Sequence, residues 1–524
     1  MYRFSGLQVH GVSLPIGKSR RNLFPGCNLP LFCVYYFDRL ARRFDRAHSK
    51  ALGAPVLPET TIFTGGGMTQ AEQLAAFVVR ASYEDLSEEA RRQLKIRILD
   101  GLGCGIGALK GEPIRMLKDQ VEEFNGARHC TLIGGGKAAP DRAALYNSAL
   151  IRYLDFNDSY LAKGETCHPS DNIGSVLAAS EYAKQSGRQL LTALAMAYQV
   201  QCRLSDVAPV RAKGFDHTTL GSFAVAAGVS KALGLDEVRT ANAIAICGTA
   251  FIALRVSRTG ALSHWKGLAY PNTAFSCTHG TFLAMRGITG PPEVFEGNKG
   301  FMETVAGKFK INWLEEDLER VTLTSLKRYN AEIHSQSALE GVLELKREYG
   351  LKGEDVTKAE IEIFDVAYHI IGGGEEGDKT LVGTKEEADH SLPYLVAVAI
   401  LDGQVMPEQY RPDRIQGEDV QSLLKKVIIK PSAEYSREFP DEMPCRVTLM
   451  LRDGEKVERE KRDYEGFRTR PMSWGTAAEK FEKLAAPYTD RSLCQGIISA
   501  VSRLESMEVS DLTELLGKVR VPSI

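Results

Sequence analysis

The sequence predicts an α-rich protein of two domains, a large all-helical domain and a smaller α/β domain. From Met68 to about Ala306, apolar residues recur at a spacing of about 3.6 in Ala-rich segments, as in amphipathic helices. Near Lys308 the pattern changes to β-branched runs, several of them with alternating polarity, which is typical of strands. A chain of 524 residues is also longer than one ordinary hydrophobic core supports, so two domains are expected.

The first helical part covers residues 68–307. Thr69 is suited to cap its first helix, whose apolar face contains Leu74, Phe77 and Val78. Short connections with Gly, Pro or Asp join the helices, as helix bundles require. The predicted helices lie at 69–81, 87–109, 141–154, 173–185, 188–207, 218–233, 236–254 and 266–287.

Residues 308–474 are predicted to form the α/β domain. Its β-branched runs lie at 321–326, 358–371, 425–431 and 446–451, with helical segments at 335–348 and 391–402 between them. Residues 475–524 return to a helical pattern. If these last helices pack on the first domain, that domain is discontinuous in sequence.

Residues 1–67 form a leader that we leave out of the predicted fold. The first 37 residues contain Arg3, Lys18, Arg20 and Arg21 but no acidic residue, which is compatible with an organellar transit peptide. An over-long translation start is the alternative, because Met68 stands directly before a helix-capping sequence. In either case we expect the leader to be disordered. The expected compartment is the cytoplasm, or the mitochondrial matrix if the leader is a transit peptide.

Composition and charge exclude several classes of protein. The net charge of -2, without a dense Lys/Arg stripe, argues against a nucleic-acid partner. No apolar run approaches the roughly 18 residues of a membrane-spanning helix, so no membrane partner is expected. The ten cysteines are scattered and none forms Cys-x-x-Cys. This spacing counts against a zinc ribbon and against closely spaced iron–sulfur ligands, and we expect no metal.

The densest polar segment is Tyr153–Asn172, which lies between two apolar, helix-like runs. Buried ionisable groups are costly unless they are paired, so packing alone explains such a segment poorly. Asp155 and Ser159 stand four residues apart and share a face if the helix persists. His168 begins a turn in which Ser170 is suited to cap the next helix. A polar loop with a helix cap is the alternative interpretation.

Two further polar segments interrupt the helical part. His217 stands at a predicted helix N-terminus, where an anion is favoured, although capping by Asp216 or Thr218 is the alternative. Lys266 lies inside an otherwise apolar, Ala-rich helix. The alternative interpretation of Lys266 is a surface lysine whose aliphatic stem covers apolar surface.

Two more polar segments stand where helices begin in the α/β part. The first lies at the predicted domain boundary, where ligand sites often form. It combines two cations with a carboxylate and an imidazole, at Lys327, Arg328, Glu332 and His334. The second is Asp389–Tyr394, in which Ser391 is suited to cap a helix. Lys and Arg bind carboxylates, and His, Tyr or Asp exchange protons, so the segments together suit a small polyanionic substrate.

In this order and spacing the polar segments resemble the MmgE/PrpD family, which contains 2-methylcitrate dehydratases and cis-aconitate decarboxylases. The resemblance runs from about Met68 to the C-terminal helices. The motifs are Leu-Asp-Phe-Asn-Asp-Ser (154–159), His-Pro-Ser-Asp-Asn (168–172), Gly-Phe-Asp-His (214–217), His-Trp-Lys-Gly (264–267), Ala-Glu-Ile-His-Ser-Gln-Ser (331–337) and Asp-His-Ser-Leu-Pro-Tyr (389–394). It implies a helical domain with a smaller α/β lid, a homodimer, and a site between the two domains.

The resemblance also implies site residues. Family positions carry over to Asp155, Ser159, His168, His217, Lys266, Lys327 and Tyr394, with Ser159 in place of a common Thr. Within this set and its neighbours, the predicted catalytic residues are Asp155, His168, His217, Lys266, Glu332 and Tyr394. The predicted substrate-binding residues are Ser159, Lys327, Arg328 and His334. We expect Asp155 and His168 to carry the proton transfers.

One departure separates the activities within the family. The decarboxylase carries a His five residues after the first Lys of its lid, where this chain has Glu332. The resemblance therefore favours a hydro-lyase that dehydrates 2-methylcitrate or a related hydroxy-tricarboxylate to the cis-aconitate-type alkene, without an iron–sulfur cluster or another cofactor. The alternatives are a cis-aconitate decarboxylase and a catalytically silent dimeric binding protein on the same scaffold.

Overall fold

The computed structural model describes residues 67–260 and 262–522 of the chain. The leader expected over residues 1–67 lies, apart from Gly67, outside this part. Within the described ranges no helix is both long enough and apolar enough to cross a membrane. The predicted fold class is confirmed, because a large helical part is joined to a smaller part that contains a mixed β-sheet.

The helical part begins with a series of helices and two short hairpins. The helices are α1 Gln70–Arg80, α2 Glu88–Gly107, α3 Glu112–Phe124, α4 Pro140–Tyr153, α5 Ile173–Tyr182, α6 Gly187–Val207, α7 Thr218–Leu233, α8 Glu237–Ala250 and α9 Trp265–Met285. The hairpins pair β1 Cys130–Thr131 with β2 Lys137–Ala138, and β3 Tyr160–Ala162 with β4 Glu165–Cys167.

Helix α1 begins as its sequence predicts. The Thr69 hydroxyl accepts a hydrogen bond from the Glu72 amide at 3.2 Å, and the Glu72 carboxylate accepts one from the Thr69 amide at 2.8 Å. This reciprocal capping box satisfies two amides that would otherwise lack partners. Leu74, Phe77 and Val78 are buried, so the predicted apolar face is confirmed.

Small residues let the helices approach closely. A Cβ atom on Gly228 of α7 would lie 2.9 Å from the Cβ of Ala197 in α6, closer than such atoms pack. The C-terminal helices α17 Trp474–Ala485, α18 Arg491–Ser502 and α19 Val509–Leu516 contribute Phe481 and Leu512 to the same apolar core.

The α/β part has its own apolar core around a four-stranded sheet. Its strands are β5 Val356–Ile363, β6 Val427–Pro431, β7 Cys445–Leu451 and β8 Lys456–Lys461, in the order β6-β5-β7-β8. The β5–β6 pair is parallel, and the other two pairs are antiparallel. The helices of this part are α10 Gln336–Glu348, α11 Asp365–Ile371, α12 Lys385–Ala388, α13 Leu392–Asp402, α14 Pro412–Ile415, α15 Glu418–Leu424 and α16 Ala433–Glu438.

Two predicted strands differ from the structure. Residues 321–326 are no strand, because the turn Arg320–Leu323 is a 3-10 helix and the Thr324 carbonyl accepts from the buried Arg97 guanidinium at 2.7 Å. Residues 358–371 divide into β5 and α11. Ala367, Ile370 and Ile371 are buried at helical spacing, and this pattern replaces the alternation of the strand before it.

Strand β8 is absent from the prediction because five of its six residues are charged. Val457 is its buried residue, and the strand lies at an edge of the sheet. Charged side chains are common on edge strands because they discourage pairing with other chains. Such a strand has too few apolar residues to give an alternating pattern.

Candidate active site

The predicted polar segments meet at a cavity of about 60 Å³ between the helical part and the α/β part. The helical part contributes Arg152, His168, Arg211, His217, Arg255, Arg258 and Lys266 to its wall, and the α/β part contributes Glu332, His334, Glu376 and His390. Imidazoles from both parts and cations from the helical part thus surround one small space, and the α/β part adds two carboxylates.

Asp155 lies immediately behind this wall in a cluster of cations. It follows the end of α4 with a φ of +53°, a left-handed conformation that is uncommon outside glycine. Its Oδ1 accepts hydrogen bonds from Arg152 Nη1 at 2.6 Å and Lys327 Nζ at 2.7 Å, and its Oδ2 lies 3.8 Å from Lys266 Nζ. Although burial opposes ionisation, these charges hold the pKa of Asp155 well below its usual range.

His168 is positioned by the β3–β4 hairpin. Ser159 precedes β3 and His168 follows β4, so the pairing of the strands brings the Ser159 hydroxyl to 3.1 Å from His168 Nδ1. The Asp158 carbonyl lies 2.8 Å from the same nitrogen and accepts its proton, which leaves the Nε2 lone pair free. Burial, reinforced by the charges of Arg152 and Lys327, lowers the pKa of His168 well below its usual range.

His217 and His334 are oriented in the same way. His217 precedes α7, and its Nδ1 lies 3.1 Å from Asp216 Oδ1. His334 Nδ1 lies 2.7 Å from Glu332 Oε1. At His334 the carboxylate accepts the Nδ1 proton, which leaves Nε2 as the basic nitrogen. The Nε2 atoms of both His217 and His334 are buried without a partner among the described residues. Burial lowers the pKa of His217 to about 3, so this imidazole is neutral near pH 7.

Glu332 holds His334 through two contacts. Besides the contact with the ring, its Oε2 accepts a hydrogen bond from the His334 amide at 2.7 Å and so caps the short turn Ile333–Ser335. Although burial opposes ionisation, the contact with His334 lowers the pKa of Glu332 to about 2. The Glu332 carboxylate is therefore ionised, and both of its oxygens contact His334.

His390 is a wall residue that the sequence analysis did not select. Its Nδ1 lies 2.6 Å from Asp389 Oδ1 and 2.8 Å from Lys266 Nζ, and its Nε2 lies 3.7 Å from Asp155 Oδ2. The motif Asp389–Tyr394 contained the signal, because His is the side chain that exchanges protons near neutral pH. The prediction took Tyr394 from that motif instead.

The structure does not bring Tyr394 or Arg328 to this cavity, which corrects both assignments. Tyr394 lies in the core of the α/β part, where its hydroxyl donates to the Gln409 carbonyl. The Arg328 Nε lies 3.4 Å from Glu465 Oε2, and its side chain lines a separate cleft of about 620 Å³. Burial raises the pKa of Tyr394, which makes its hydroxyl a poor proton donor.

Asp155, Asp389 and His390 could hold a cation, because one ligand atom from each lies within 4.8 Å of the others. The Lys266 ammonium lies in this group, 3.1 Å from Asp389 Oδ1 and 3.8 Å from Asp155 Oδ2. It supplies a positive charge to both carboxylates. The carboxylates of Asp155 and Asp389 therefore already have a cationic partner within the protein, the side chain of Lys266.

Lys480 of α17 holds the backbone around the site. Its Nζ donates to the Phe156 carbonyl at 2.8 Å and to the Lys327 carbonyl at 2.9 Å, and it lies 2.7 Å from Asp100 Oδ1. One buried ammonium thus ties together the segments that carry Asp155 and Lys327. No feature of the Lys480 sequence neighbourhood distinguishes it from a surface lysine.

The fold is that of a two-domain helical protein whose cavity is lined by imidazoles and cations, and comparison with known proteins identifies the family. The MmgE/PrpD N-terminal domain matches residues 72–314 and the MmgE/PrpD C-terminal domain matches residues 329–506. The chain belongs to the MmgE/PrpD family.

Its relatives include enzymes of two activities. The chain is 25% identical to the cis-aconitate decarboxylase of Mus musculus over 477 residues, which cover 85% of this chain and 93% of that protein. It is 25% identical to the 2-methylcitrate dehydratase of Escherichia coli over 476 residues, which cover 83% and 94%. It is 27% identical to a fungal alkylcitrate dehydratase over 463 residues, which cover 82% and 90%. Dehydratases and decarboxylases are both lyases, so these relatives indicate a lyase.

Proposed function

We propose that this protein is a hydro-lyase that dehydrates 2-methylcitrate or a related hydroxy-tricarboxylate to the cis-aconitate-type alkene. The observation that carries the proposal is a neutral, oriented imidazole, His168, in a cavity whose wall is rich in Arg and Lys. An elimination of this kind needs a base for a carbon-bound proton and cations for the carboxylates beside it. Every group in the proposed reaction is a side chain, so no cofactor is required.

In the proposed reaction His168 Nε2 removes a proton α to a carboxylate. The electron pair of the broken C–H bond forms the double bond, the C–O bond breaks, and the Lys266–His390 pair protonates the departing hydroxide, which leaves as water. Negative charge that develops on the neighbouring carboxylate is stabilised by Arg152. Asp155 becomes a positioning residue, because a carboxylate with such a low pKa is a weak base.

Glu332 is the feature that favours loss of water over loss of CO₂. An ionised Glu332 keeps His334 in a fixed orientation, and the resemblance places a His at this position in the decarboxylase. The runner-up function is a cis-aconitate decarboxylase, which the Mus musculus relative supports at the same 25% identity as the Escherichia coli dehydratase. The third candidate is a dimeric binding protein without activity.

The test is an assay of the full chain with citrate, 2-methylcitrate, isocitrate and cis-aconitate, in which alkene absorbance and CO₂ are followed together. We expect alkene from 2-methylcitrate and no CO₂ from cis-aconitate. Steady CO₂ release without hydration or dehydration would replace the proposal with the decarboxylase. Binding of all four acids without any turnover would favour the silent binding protein.

We also propose a homodimer in which residues 68–307 and 475–524 form the helical domain and residues 308–474 form a lid. The separate apolar cores of the helical and α/β parts support this division. Sedimentation equilibrium of the full chain tests the dimer, and a mass of one chain at micromolar concentration would contradict it.

A further inference from the structure

We infer that Arg211 and Arg255 form a carboxylate-binding subsite of the cavity, and that Glu376 of the chain itself occupies this subsite in competition with the substrate. The inference rests on the proposed function, because it assigns the subsite to one carboxylate of the tricarboxylate. It adds a specificity determinant, which selects acids that carry a carboxylate at this position.

One oxygen of Glu376 contacts both arginines. Oε1 lies 3.0 Å from Arg255 Nη2 and 3.3 Å from Arg211 Nη2. The three side chains are largely buried, with 10% of Glu376 and 16% of Arg255 exposed. All three line the cavity that contains His168. A carboxylate of the protein therefore lies where a carboxylate of the ligand would meet two guanidinium groups.

The two arginines are fixed on the helical part. Arg211 begins the 3-10 turn Arg211–Lys213, and its amide donates to Glu165 Oε2 at 3.0 Å. Arg255 begins the 3-10 turn Arg255–Arg258, and its amide donates to the Gly214 carbonyl at 2.9 Å. Both guanidinium groups thus project from backbone that is anchored close to His168 and His217.

Glu376 belongs to a different part of the molecule. It lies in the loop between α11 and α12, which contains five glycines in residues 372–383. Gly373 and Gly377 have φ angles of 102° and 92°, which side-chain-bearing residues rarely adopt. The carboxylate is therefore on a segment whose backbone has more conformational freedom than the turns that carry the arginines.

The cavity is so small that a ligand can enter only if part of the wall moves, and Glu376 competes with the ligand for the two arginines. A space of about 60 Å³ holds about four to six water molecules, at roughly 10–15 Å³ each. A hydroxy-tricarboxylate has more than a dozen non-hydrogen atoms and does not fit unless part of the wall moves. Glu376 is the wall residue that matches the ligand in chemistry and lies on the glycine-rich loop.

Replacement of Glu376 by a carboxylate of the ligand is favourable, because the ligand can offer the arginines two oxygens instead of one. One oxygen of Glu376 serves both arginines, whereas a free carboxylate can present one oxygen to each guanidinium group. Arg258 adds a donor beside them, because its Nη2 is buried without a partner in the described part of the chain. The displaced Glu376 is repelled by the bound acid, so the loop moves away as the ligand enters.

The test uses tricarballylate, a tricarboxylate without a hydroxyl group, which binds but cannot be dehydrated. Its affinity for the full chain is measured by calorimetry for the wild type and for Glu376→Gln, Glu376→Asp and Arg255→Gln. Glutarate, a dicarboxylate, serves as the second probe, and Glu375→Gln is the matched control because it removes an exposed carboxylate next in sequence. Melting temperatures show whether each variant is folded.

We expect Glu376→Gln to bind tricarballylate about three- to tenfold more tightly, because the competitor is removed. Glu376→Asp, whose shorter side chain reaches the arginines poorly, should also bind it more tightly. Arg255→Gln should lower the affinity for tricarballylate at least tenfold and the affinity for glutarate much less. Glu375→Gln should leave both affinities within twofold of the wild type.

Unchanged or weaker tricarballylate binding in both folded Glu376 variants would overturn the inference. That result together with normal turnover of 2-methylcitrate leaves the proposed function intact. The expected affinity changes in a protein that turns over none of the four acids would instead support the subsite and refute the hydro-lyase.

Discussion

Lys266 Nζ and His390 Nδ1 lie 2.8 Å apart, and Asp389 Oδ1 contacts both of them. A charged Lys266 donates to Nδ1, whereas a protonated Nδ1 donates to Asp389. One proton cannot satisfy both arrangements, so protonation of the lysine and of Nδ1 are alternatives. Burial lowers the pKa of each group, which makes the pair a source of a proton inside the cavity. This relationship underlies the general acid of the proposed reaction.

His168→Asn should lower kcat on 2-methylcitrate by about 10²- to 10⁴-fold, because it removes the base that takes the carbon-bound proton. The Kd of tricarballylate should stay within about threefold. Ser159→Ala is the control, since it removes one contact with the ring and keeps the Asp158 carbonyl, and it should lose far less activity. A folded His168→Asn protein with more than a tenth of wild-type kcat would contradict the assignment.

Glu332→Gln should lower kcat/KM for 2-methylcitrate by about 30- to 1,000-fold, which corresponds to roughly 2–4 kcal/mol of transition-state stabilisation. The reason is the loss of the charge that holds His334 Nδ1. The effect should be absent in a His334→Asn background, because both changes remove the same contact. Additive losses in the double variant would separate Glu332 from His334.

Asp155→Asn should destabilise the fold by about 3–5 kcal/mol and abolish turnover, because it leaves the buried charges of Arg152 and Lys327 without their carboxylate. Urea unfolding measures the first effect, and the alkene assay measures the second. Asp378→Asn is the control, since that carboxylate is exposed and contacts Thr380 within its own loop. Equal stability of the Asp155 and Asp378 variants would show that the cluster tolerates loss of its anion.

Protein stability should fall as the pH decreases from about 6.5 towards 3, in part through His217. The unfolded imidazole binds a proton near its usual pKa of about 6.5, whereas burial lowers the pKa of the folded one to about 3. The unfolded state therefore binds more protons in this window, and unfolding becomes easier as the pH falls. Urea unfolding between pH 4 and 8 measures the slope, which His217→Asn should reduce and His129→Asn, at an exposed position, should not.

Tyr394→Phe should keep turnover within about twofold of wild type and cost roughly 1–2 kcal/mol of stability. Its hydroxyl donates to the Gln409 carbonyl in the core of the α/β part, and the substitution leaves that buried acceptor without a donor. A loss of activity above tenfold without loss of stability would return Tyr394 to the catalytic set.

The helices could be predicted because their signals are local. Thr69 and Glu72 lie in one turn, and the apolar residues of α1 repeat within a dozen positions. Strand β8 could not be predicted, because its identity depends on its partner strand β7 and on helix α10, which packs against it. The run at 321–326 was misassigned for the same reason, since its β-branched residues pack against α2 and α6 instead of pairing.

The site was predictable to the extent that its residues cluster in sequence. His168, His217, Lys266 and His334 stand in polar segments between apolar helices, and each reaches the cavity. Arg255 and Glu376 lie outside the polar segments that the sequence singles out, and their pairing joins positions 121 residues apart. The choice between His390 and Tyr394 depends on whether the turn before α13 or the first turn of α13 faces the cavity, and a sequence with a cap at Ser391 leaves that orientation open.

The contacts of Lys480 have a consequence for synthesis of the chain. The Phe156 carbonyl, just after Asp155, and the Lys327 carbonyl both accept hydrogen bonds from Lys480, which follows them in sequence by more than 150 residues. A ribosome must therefore have translated the chain as far as α17 before these two segments can be joined as they are in the native state. Every group in the proposed reaction is translated by residue 390, yet a chain that stops before α17 would have the catalytic side chains without the support that assembles them.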